Sequence, residues 1–582
     1  MSESEKPTYI DKIGRFLNID GEKAFNGLDN KERNYCYYFS RASWEGAKIC
    51  YFQRSYEAPA LFYMLSKIFT IQSLDEIKTI CLSKGWSDEE WRMLTAYIAG
   101  FFQNCGNYLS FGDKKFIPEI PKEKFLEFIH LTEAYSLEPE KFDKIWNDIN
   151  LELYEYKAPY GELGYTDKGC LSSYYSSNMT QEDCKFADEF MQSIDLSPLN
   201  TRVIKHSPDH YEILVCSYKS GGKVYNYKDK KFSVVYGDFS PFMYKVITNL
   251  KECIKYAANE NQVEMLKHYI RHFETGDINA HKDSQRAWIR DKNPIVETCI
   301  GFIEVYLDPN RTKGEFEGFV SVVDKEQSKK LAKLVDNAEK IITNLTWPKE
   351  LEIEKFSKPD FTSLDVLTFA CSGTPIGINL PNYEDVTRND GFKNVNLGNC
   401  YGTPNKQFSR FLRDEDVDIV INYSHESDFV MVALHELLGH GTGKLFVKKE
   451  DGTFNFNKDM PHPLTGGPIT TWYEPTETWG SKFGKVSSGY EECRADGVAL
   501  YLSTFEECLE ILLPGRKEVW DDIVYGMWLQ TTFSGLTGLK YYSPETQEWG
   551  QAHVCASFAL LQVLIEAGNG MIKIEETTKD GK

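Results

Sequence analysis

A chain of 582 residues is too long for one simple domain, and roughly two to four are expected. Its 41% hydrophobic and 26% charged residues are ordinary globular composition, which excludes disorder, collagen and low-complexity sequence for most of the length. With 66 basic against 87 acidic residues the net charge is −21, and no basic patch exceeds short Lys pairs, so nucleic acid is a poor partner. The first residues, Met1 to Pro7, lack a basic segment followed by an apolar run and do not read as a secretory signal. No apolar stretch approaches the ~18 residues of a membrane span. The 14 cysteines are scattered singly with no CxxC pair, as in a protein of the reducing cytosol. A soluble, acidic, cytoplasmic protein is expected.

The first ~150 residues read mainly as helices, with Leu61, Leu65, Phe69 and Ile71, then Phe125, Phe128 and Leu131, at helical spacing. Tyr154 to Thr180, rich in Gly and Tyr, predicts a long ordered loop. Strands are expected at Tyr211 to Tyr218, Lys223 to Tyr227 and Phe232 to Tyr236, with a turn at Ser220-Gly221-Gly222, and again at Glu315 to Val323. Leu331, Leu334, Val335, Ala338, Ile341, Ile342 and Leu345 form an amphipathic helix stopped by Trp347-Pro348. Gly373 to Pro404 reads as irregular. From about Ser427 the pattern is helical, broken by a polar loop at Asp451 to Pro475. The fold class is α+β in two lobes: residues 1–330 mainly α+β, 331–372 a helical segment crossing to the other lobe, 373–420 a return, and 421–582 helical. Met571 to Glu576 reads as a late strand.

The informative segment is His435-Glu436-Leu437-Leu438-Gly439-His440. The common zinc-peptidase pattern sets two His at i and i+4 on one helix face. Here they stand at i and i+5, roughly 140° apart on a regular helix at ~100° per residue. Both reach one metal only if the helix widens between them. A π-bulge is one device for this, and Gly439 would make the distortion cheaper. The apolar run Phe429 to Leu434 places this helix in a core, where unpaired charge is costly and a metal would supply partners. The bland alternative is two core histidines satisfied by hydrogen bonds. A third ligand is best sought in Glu491-Glu492-Cys493-Arg494-Ala495-Asp496, where Glu492 and Asp496 share a helix face and Arg494 can balance charge. His268 and His272, also i and i+4, have no adjacent acid to act as a base, and they read as a solvated helix face.

Together the two segments resemble the dipeptidyl peptidase III family of zinc metallopeptidases, marked by HELLGH followed by EECRA(E/D). The likeness extends through residues 435–446 and 476–483, Ile300 to Tyr306 with Gly314 to Phe319, Gly377 to Tyr383 with Gly391 to Val395, and Gln551-Ala552-His553. The resemblance implies an α+β lobe with a small barrel-like sheet, a helical zinc-bearing lobe, and a wide cleft between them. It implies one Zn²⁺ per chain, held by His435, His440 and Glu492. Glu436 would be the general base toward a zinc-bound water, with Glu491 and Asp496 fixing the His tautomers. His553 and Tyr306 would donate to the oxyanion. Glu304, Asn379 and Asn382 would clamp a free ammonium, and Gly373 and Pro375 would pair with an extended peptide. The partners would be short peptides with a free N-terminus, met by a monomer, with neither nucleic acid nor membrane involved.

Two departures stand out. Ser557 occupies a position where the family usually has Arg, and family members continue well past the end of this chain. The expectation is therefore a zinc exopeptidase that releases dipeptides with reduced efficiency. The alternative is a zinc- and peptide-binding protein of the same fold without turnover.

Overall fold

A computed structural model describes residues 6–10, 19–110, 112–356, 358–402, 411–475, 477, 479–544 and 547–575. The chain divides into two compact units. The first comprises Met1–Val322, Asp365–Thr374 and Asn382–Asp390; the second comprises Val323–Leu364, Pro375–Pro381 and Gly391–Lys582.

The first unit opens on helices whose ends are written in the sequence. In α1 (Asn30–Arg54), the Asp29 side chain accepts from the Glu32 N–H at 2.8 Å while the Glu32 carboxylate accepts from the Asp29 N–H, also at 2.8 Å. This reciprocal cap satisfies two N–H groups that the helix itself cannot. Leu61, Leu65, Phe125 and Phe128 are buried, as their spacing predicts. Residues 155–180 are irregular, tied by isolated bridges.

A four-stranded sheet follows: β1 (Thr201–Ser207), β2 (His210–Cys216), β3 (Gly221–Tyr227) and β4 (Lys230–Asp238), in the order β1-β2-β4-β3. Three of these strands are the expected ones. β1 escapes a pattern search because Arg202, Lys205 and His206 interrupt its apolar residues. The glycine turn does not close a β2–β3 hairpin, since β2 instead runs parallel to β4. One face buries Tyr211, Ile213, Phe232 and Val234 against Phe190, whose ring stacks on Phe232 at 3.9 Å. After the helices Ser240–Cys253 and Glu260–Thr275 come α2 (Ile278–Arg290) and the antiparallel pair β5 (Val296–Phe302) and β6 (Phe316–Val323).

In the second unit, α3 (Lys325–Ile341) buries the predicted stripe of Leu331, Leu334, Val335, Ala338 and Ile341. A 3₁₀ turn, Ile342–Asn344, precedes the Trp347-Pro348 stop. The segment expected to be irregular is not so. It contains β8 (Gly377–Leu380), a short helix Glu384–Asn389 and β9 (Lys393–Leu397). Strand β7 (Asp360–Ala370) runs parallel to β9 through Asp360 to Leu364, and β8 is antiparallel to β9. Gly- and Asn-rich strands this short have little local preference and form only where partners stand ready. Residues 571–575 carry no strand, and Glu576 lies outside the described residues.

The long helices α4 (Asp414–Leu434), α5 (Ser487–Leu502), α6 (Trp520–Thr537) and α7 (Ala552–Ala567) build the rest. Three acids, Asp414, Glu415 and Asp416, fill the first turn of α4, where the helix dipole favours negative charge. Phe429, Val430, Ala433 and Leu434 pack with Val498, Leu500, Leu502, Ile523 and the α3 stripe in one core. Each such side chain, fully buried, contributes about 1.5–3 kcal/mol. Among the described residues no helix is long and apolar enough to cross a membrane.

Candidate metal centre

Helix α4 does not simply end at Leu434. It continues as one π turn over His435–Gly439, closed by the His440 N–H donating to the His435 carbonyl at 3.0 Å. The extra residue in that turn removes the angular mismatch of i, i+5 spacing, and Nε2 of His435 and Nε2 of His440 come within 3.1 Å. Gly439 serves this differently from the expectation. Its φ is not positive, but a Cβ there would lie 2.7 Å from Cα of Ala495 on α5. The glycine thus allows close approach of the two helices rather than an unusual backbone.

That approach delivers the carboxylates. Oε2 of Glu492 lies 3.2 Å from Nε2 of His435 and 3.7 Å from Nε2 of His440. One ligand atom from each of the three residues falls within 4.8 Å of the other two. Nδ1 of His435 lies 2.8 Å from Asp496 Oδ1, and Nδ1 of His440 lies 3.0 Å from Glu491 Oε1. Arg494 donates to Glu491 and, at 2.6 Å and 2.9 Å, to the carbonyls of Gly439 and Thr442. It therefore ties the end of the π turn to α5.

The donor set fits a cation on this arrangement alone. A carboxylate beside each Nδ1 holds the proton there, which leaves both Nε2 atoms as acceptors. They face each other and Oε2 of Glu492, a buried atom 3.2 Å from Nε2 of His435, 3.7 Å from Nε2 of His440 and 3.3 Å from Nε2 of His553, with no hydrogen bond of good geometry among the described residues. With both imidazoles neutral the three converging acceptors repel, and this is relieved by a proton on one ring or by a metal ion. Without one, burial works against a charged His435, yet Asp496, Glu492 and Glu436 drive it up to about 10. Burial also opposes ionisation of Glu492, but His435, His553 and His440 hold it near 2. His440 and Arg494 hold Glu491 near 2 against its own burial.

Glu436 follows the first imidazole and is overhung by β8. A Cβ on Gly377 would lie 3.0 Å from its Oε1 and 3.2 Å from Val432. Among the described residues β8 pairs on one side only, with β9, so its other edge is open. Asn379 lies on this strand, opposite Asn394, and Pro375 precedes it. His553, more than half exposed at the start of α7, turns Nε2 to 3.3 Å from Glu492 Oε2 and takes a hydrogen bond at Nδ1 from Gln551 at 2.9 Å. Ser557, one turn further on, is buried.

The remaining candidates belong to the first unit. Asn382 donates to Glu304 at 3.1 Å, joining two predicted residues 78 positions apart. Burial raises the Glu304 carboxyl, and Asn382 offsets this in part. Tyr306 is exposed, its carbonyl accepting from Arg311, and Gly373 follows Ser372 in a positive-φ conformation. Sequence reasoning missed what surrounds Glu304. Glu317 is buried and Glu315 half-buried, both with raised carboxyls, Glu317 pushed furthest by burial and then by Glu304 and Glu315. The buried Arg54 lies 3.3 Å from Glu315. Two acids at strand spacing, Glu315 just before β6 and Glu317 within its apolar run, were the available signal. The solvated reading of His268 and His272 is corrected for His272, while His268 is half-buried beside Glu264 at 3.8 Å. His272 is buried, its Nδ1 donating to the Asp277 carbonyl at 3.0 Å, and burial lowers it to about 4.

A helical unit with two imidazoles and a carboxylate converging beside a second acid is a framework for a metallopeptidase, and the comparisons agree. Residues 145–582 match the family model of Peptidase family M49. Dipeptidyl peptidase 3 of Homo sapiens is 43% identical over 585 residues, 97% of this chain and 79% of that protein. The proteins of that name from Nematostella vectensis and Dictyostelium discoideum are 41% and 40% identical, over 100% and 97% of this chain and 83% and 81% of their own lengths. Dipeptidyl peptidase III from Caldithrix abyssi shares the fold with a TM-score of 0.61 at 16% identity, over 97% of this chain and 87% of that one. This chain belongs to the dipeptidyl peptidase III family, peptidase family M49, and is a peptidase.

Proposed function

We propose that this protein is a zinc-dependent exopeptidase that releases dipeptides from the free N-terminus of short peptides. The observation that carries this reading is the conjunction at Glu436: an open strand edge passes over its carboxylate, beside three converging acceptors. Zinc held by His435, His440 and Glu492 would supply a Lewis acid that polarises the scissile carbonyl and acidifies a water toward a pKa of about 7. Asp496 and Glu491 keep the proton on Nδ1 of each imidazole, so both Nε2 atoms stay free to ligate. Glu436 accepts the proton of the attacking water on its carboxylate and returns it to the leaving amine. His553 and Tyr306 donate to the oxyanion; at His553, the hydrogen bond from Gln551 to Nδ1 places the ring proton on Nε2. Extended substrate adds to the free edge of β8 near Pro375, with Gly373 contributing backbone and Asn379 a side-chain contact. Glu304 and Asn382 take the ammonium, whose positive charge would favour the ionised carboxylate against the desolvation that raises its pKa. Fourteen unpaired cysteines support a reducing, cytoplasmic setting.

The test is mass spectrometry of products from a peptide of about six residues, a length suited to a cleft, free or acetylated at its N-terminus. Chelator-sensitive release of the N-terminal dipeptide from the free peptide alone is expected, and Glu436→Ala should abolish it at unchanged zinc content. Ser557 in place of the family's Arg removes a group that orients substrate and bears on affinity and subsite preference; the second reading is binding without turnover. Folded protein with one zinc that binds the peptide and yields no product would establish that reading instead.

A further inference from the structure

We propose that His281 and Tyr383 are positioning residues that set the geometry of the Glu304–Asn382 clamp, and so the preference for a free amino terminus. This rests on the reading of that pair as the ammonium holder. His281 projects from α2 and is 2% exposed. Its Nε2 lies 3.0 Å from the carbonyl oxygen of Ile300, which can only accept, so Nε2 carries the proton. Nδ1 is then a bare acceptor, and the Tyr383 hydroxyl donates to it at 2.8 Å. Ile300 lies on β5, the strand that leads into Glu304; Tyr383 directly follows Asn382. One buried ring thus spans the two chain segments that carry the two halves of the clamp.

The surroundings hold this bridge in place. A Cβ at Gly301 would come within 2.2 Å of His281 Nε2, so the strand approaches the ring as closely as it does only because residue 301 is glycine. Burial, and next the neighbouring His272, press His281 far below the ordinary imidazole range, which keeps it neutral in the one tautomer the bridge requires. The same helix grips the segment after Tyr383 twice more. Lys282 pairs with Asp385 at 2.9 Å, its Nζ also 5.5 Å above the Tyr383 ring, and Arg286 pairs with Asp390 at 3.1 Å. On the other side, the Glu304 carbonyl accepts from the Glu315 N–H at 2.7 Å, fixing its backbone to the start of β6. Glu304 stands among the carboxyls of Glu315 and Glu317, with Asn382 as its hydrogen-bond donor, so a displaced donor would leave it poorly compensated. Asn382 has no rigid element of its own, and the His281–Tyr383 bridge supplies one.

The test compares wild-type and Tyr383→Phe proteins, zinc-loaded and full-length, on one peptide with free and acetylated N-termini. Loss of a single hydroxyl that orients a binding group is expected to raise KM for the free peptide about tenfold and to leave kcat within about twofold. The preference for the free over the acetylated peptide should narrow in step. Asn382→Ala should cost less in the Tyr383→Phe background than alone, because the two act through one contact. Calorimetric binding of both peptides to Glu436→Gln protein repeats the comparison without turnover. If Tyr383→Phe does not fold, Lys282→Ala loosens the same segment from its exposed side and should raise KM by about twofold to threefold. Unchanged KM and unchanged preference, or a lower melting temperature with KM unmoved, would overturn the proposal and reduce the pair to a structural contact. A wild-type protein that does not distinguish the two peptides would sink the clamp reading itself, a result separable from the first.

Discussion

Two imidazole nitrogens and a carboxylate oxygen that converge make the metal centre a place where a cation, a ring proton or a metal ion, is needed, and each imidazole is aimed by one acid. Asp496→Asn or Glu491→Gln should therefore weaken zinc binding by about 10–100-fold while the three ligands remain, read by competition with a chromophoric chelator. Equal affinity in the variants would mean that the carboxylates are bystanders. A second residue-scale effect lies in the first unit. His272 is held neutral by burial, with its folded value lowered to about 4, whereas an unfolded chain protonates near 6.5. Its contribution to stability is complete above about pH 6.5 and is lost as the pH falls from there toward 4. By pH 5 this amounts to about 2 kcal/mol. His272→Asn keeps a donor for the Asp277 carbonyl and has no such titration. The loss of melting temperature between pH 7.5 and pH 5 should be smaller in that variant than in the wild type.

At the scale of elements, the π turn and the close contact of α4 with α5 form one device. Gly439→Ala would drive a methyl into the backbone of Ala495, and overpacking of this kind costs typically about 1–3 kcal/mol. Because the same contact brings Glu492 to the imidazoles, the variant should bind less than one zinc per chain as well as melt earlier. Full zinc content would show that the helices can part without opening the site. This element was half legible. The i, i+5 spacing in an apolar helix required a widened turn, and His435-Glu436 with Glu491-Glu492 named the participants. The role of Gly439 was not legible, since close approach depends on what lies opposite. Strands β1, β5, β7, β8 and β9 were missed, β7 within the segment 331–372 read as helical; in β1 and β8 the reason is related, since Arg, Lys, Asn and Gly carry no strand signal until a partner strand supplies the hydrogen bonds.

At the scale of the whole molecule, all three ligands, both orienting acids and His553 lie in the second unit. Metal should therefore stabilise that unit, by about 4 kcal/mol when present at a thousandfold its dissociation constant. Hydrogen exchange read by mass spectrometry should show chelation speeding exchange across 430–442 and 487–500, with the sheet of residues 201–238 unchanged. Uniform acceleration across both units would overturn this localisation. The net charge of −21 suits a protein whose candidate clamp, Glu304 amid Glu315 and Glu317, gathers carboxyls that a cationic terminus would help to ionise.

By itself the sequence determined the chemistry: which residue types could bind a metal, the need for a distorted helix between His435 and His440, the helical cores, and the family whose motifs it carries. Periodicity and donor chemistry are local properties, readable from residue spacing. Tertiary structure decided the rest. It showed that Asp496 serves His435 and Glu491 serves His440, that Gly377 overhangs Glu436 at an open strand edge, and that His281 joins Ile300 to Tyr383. It also showed that His272 is buried rather than solvated. These are contacts between residues far apart in the chain, and their geometry comes from the packing of whole elements, which no single segment encodes.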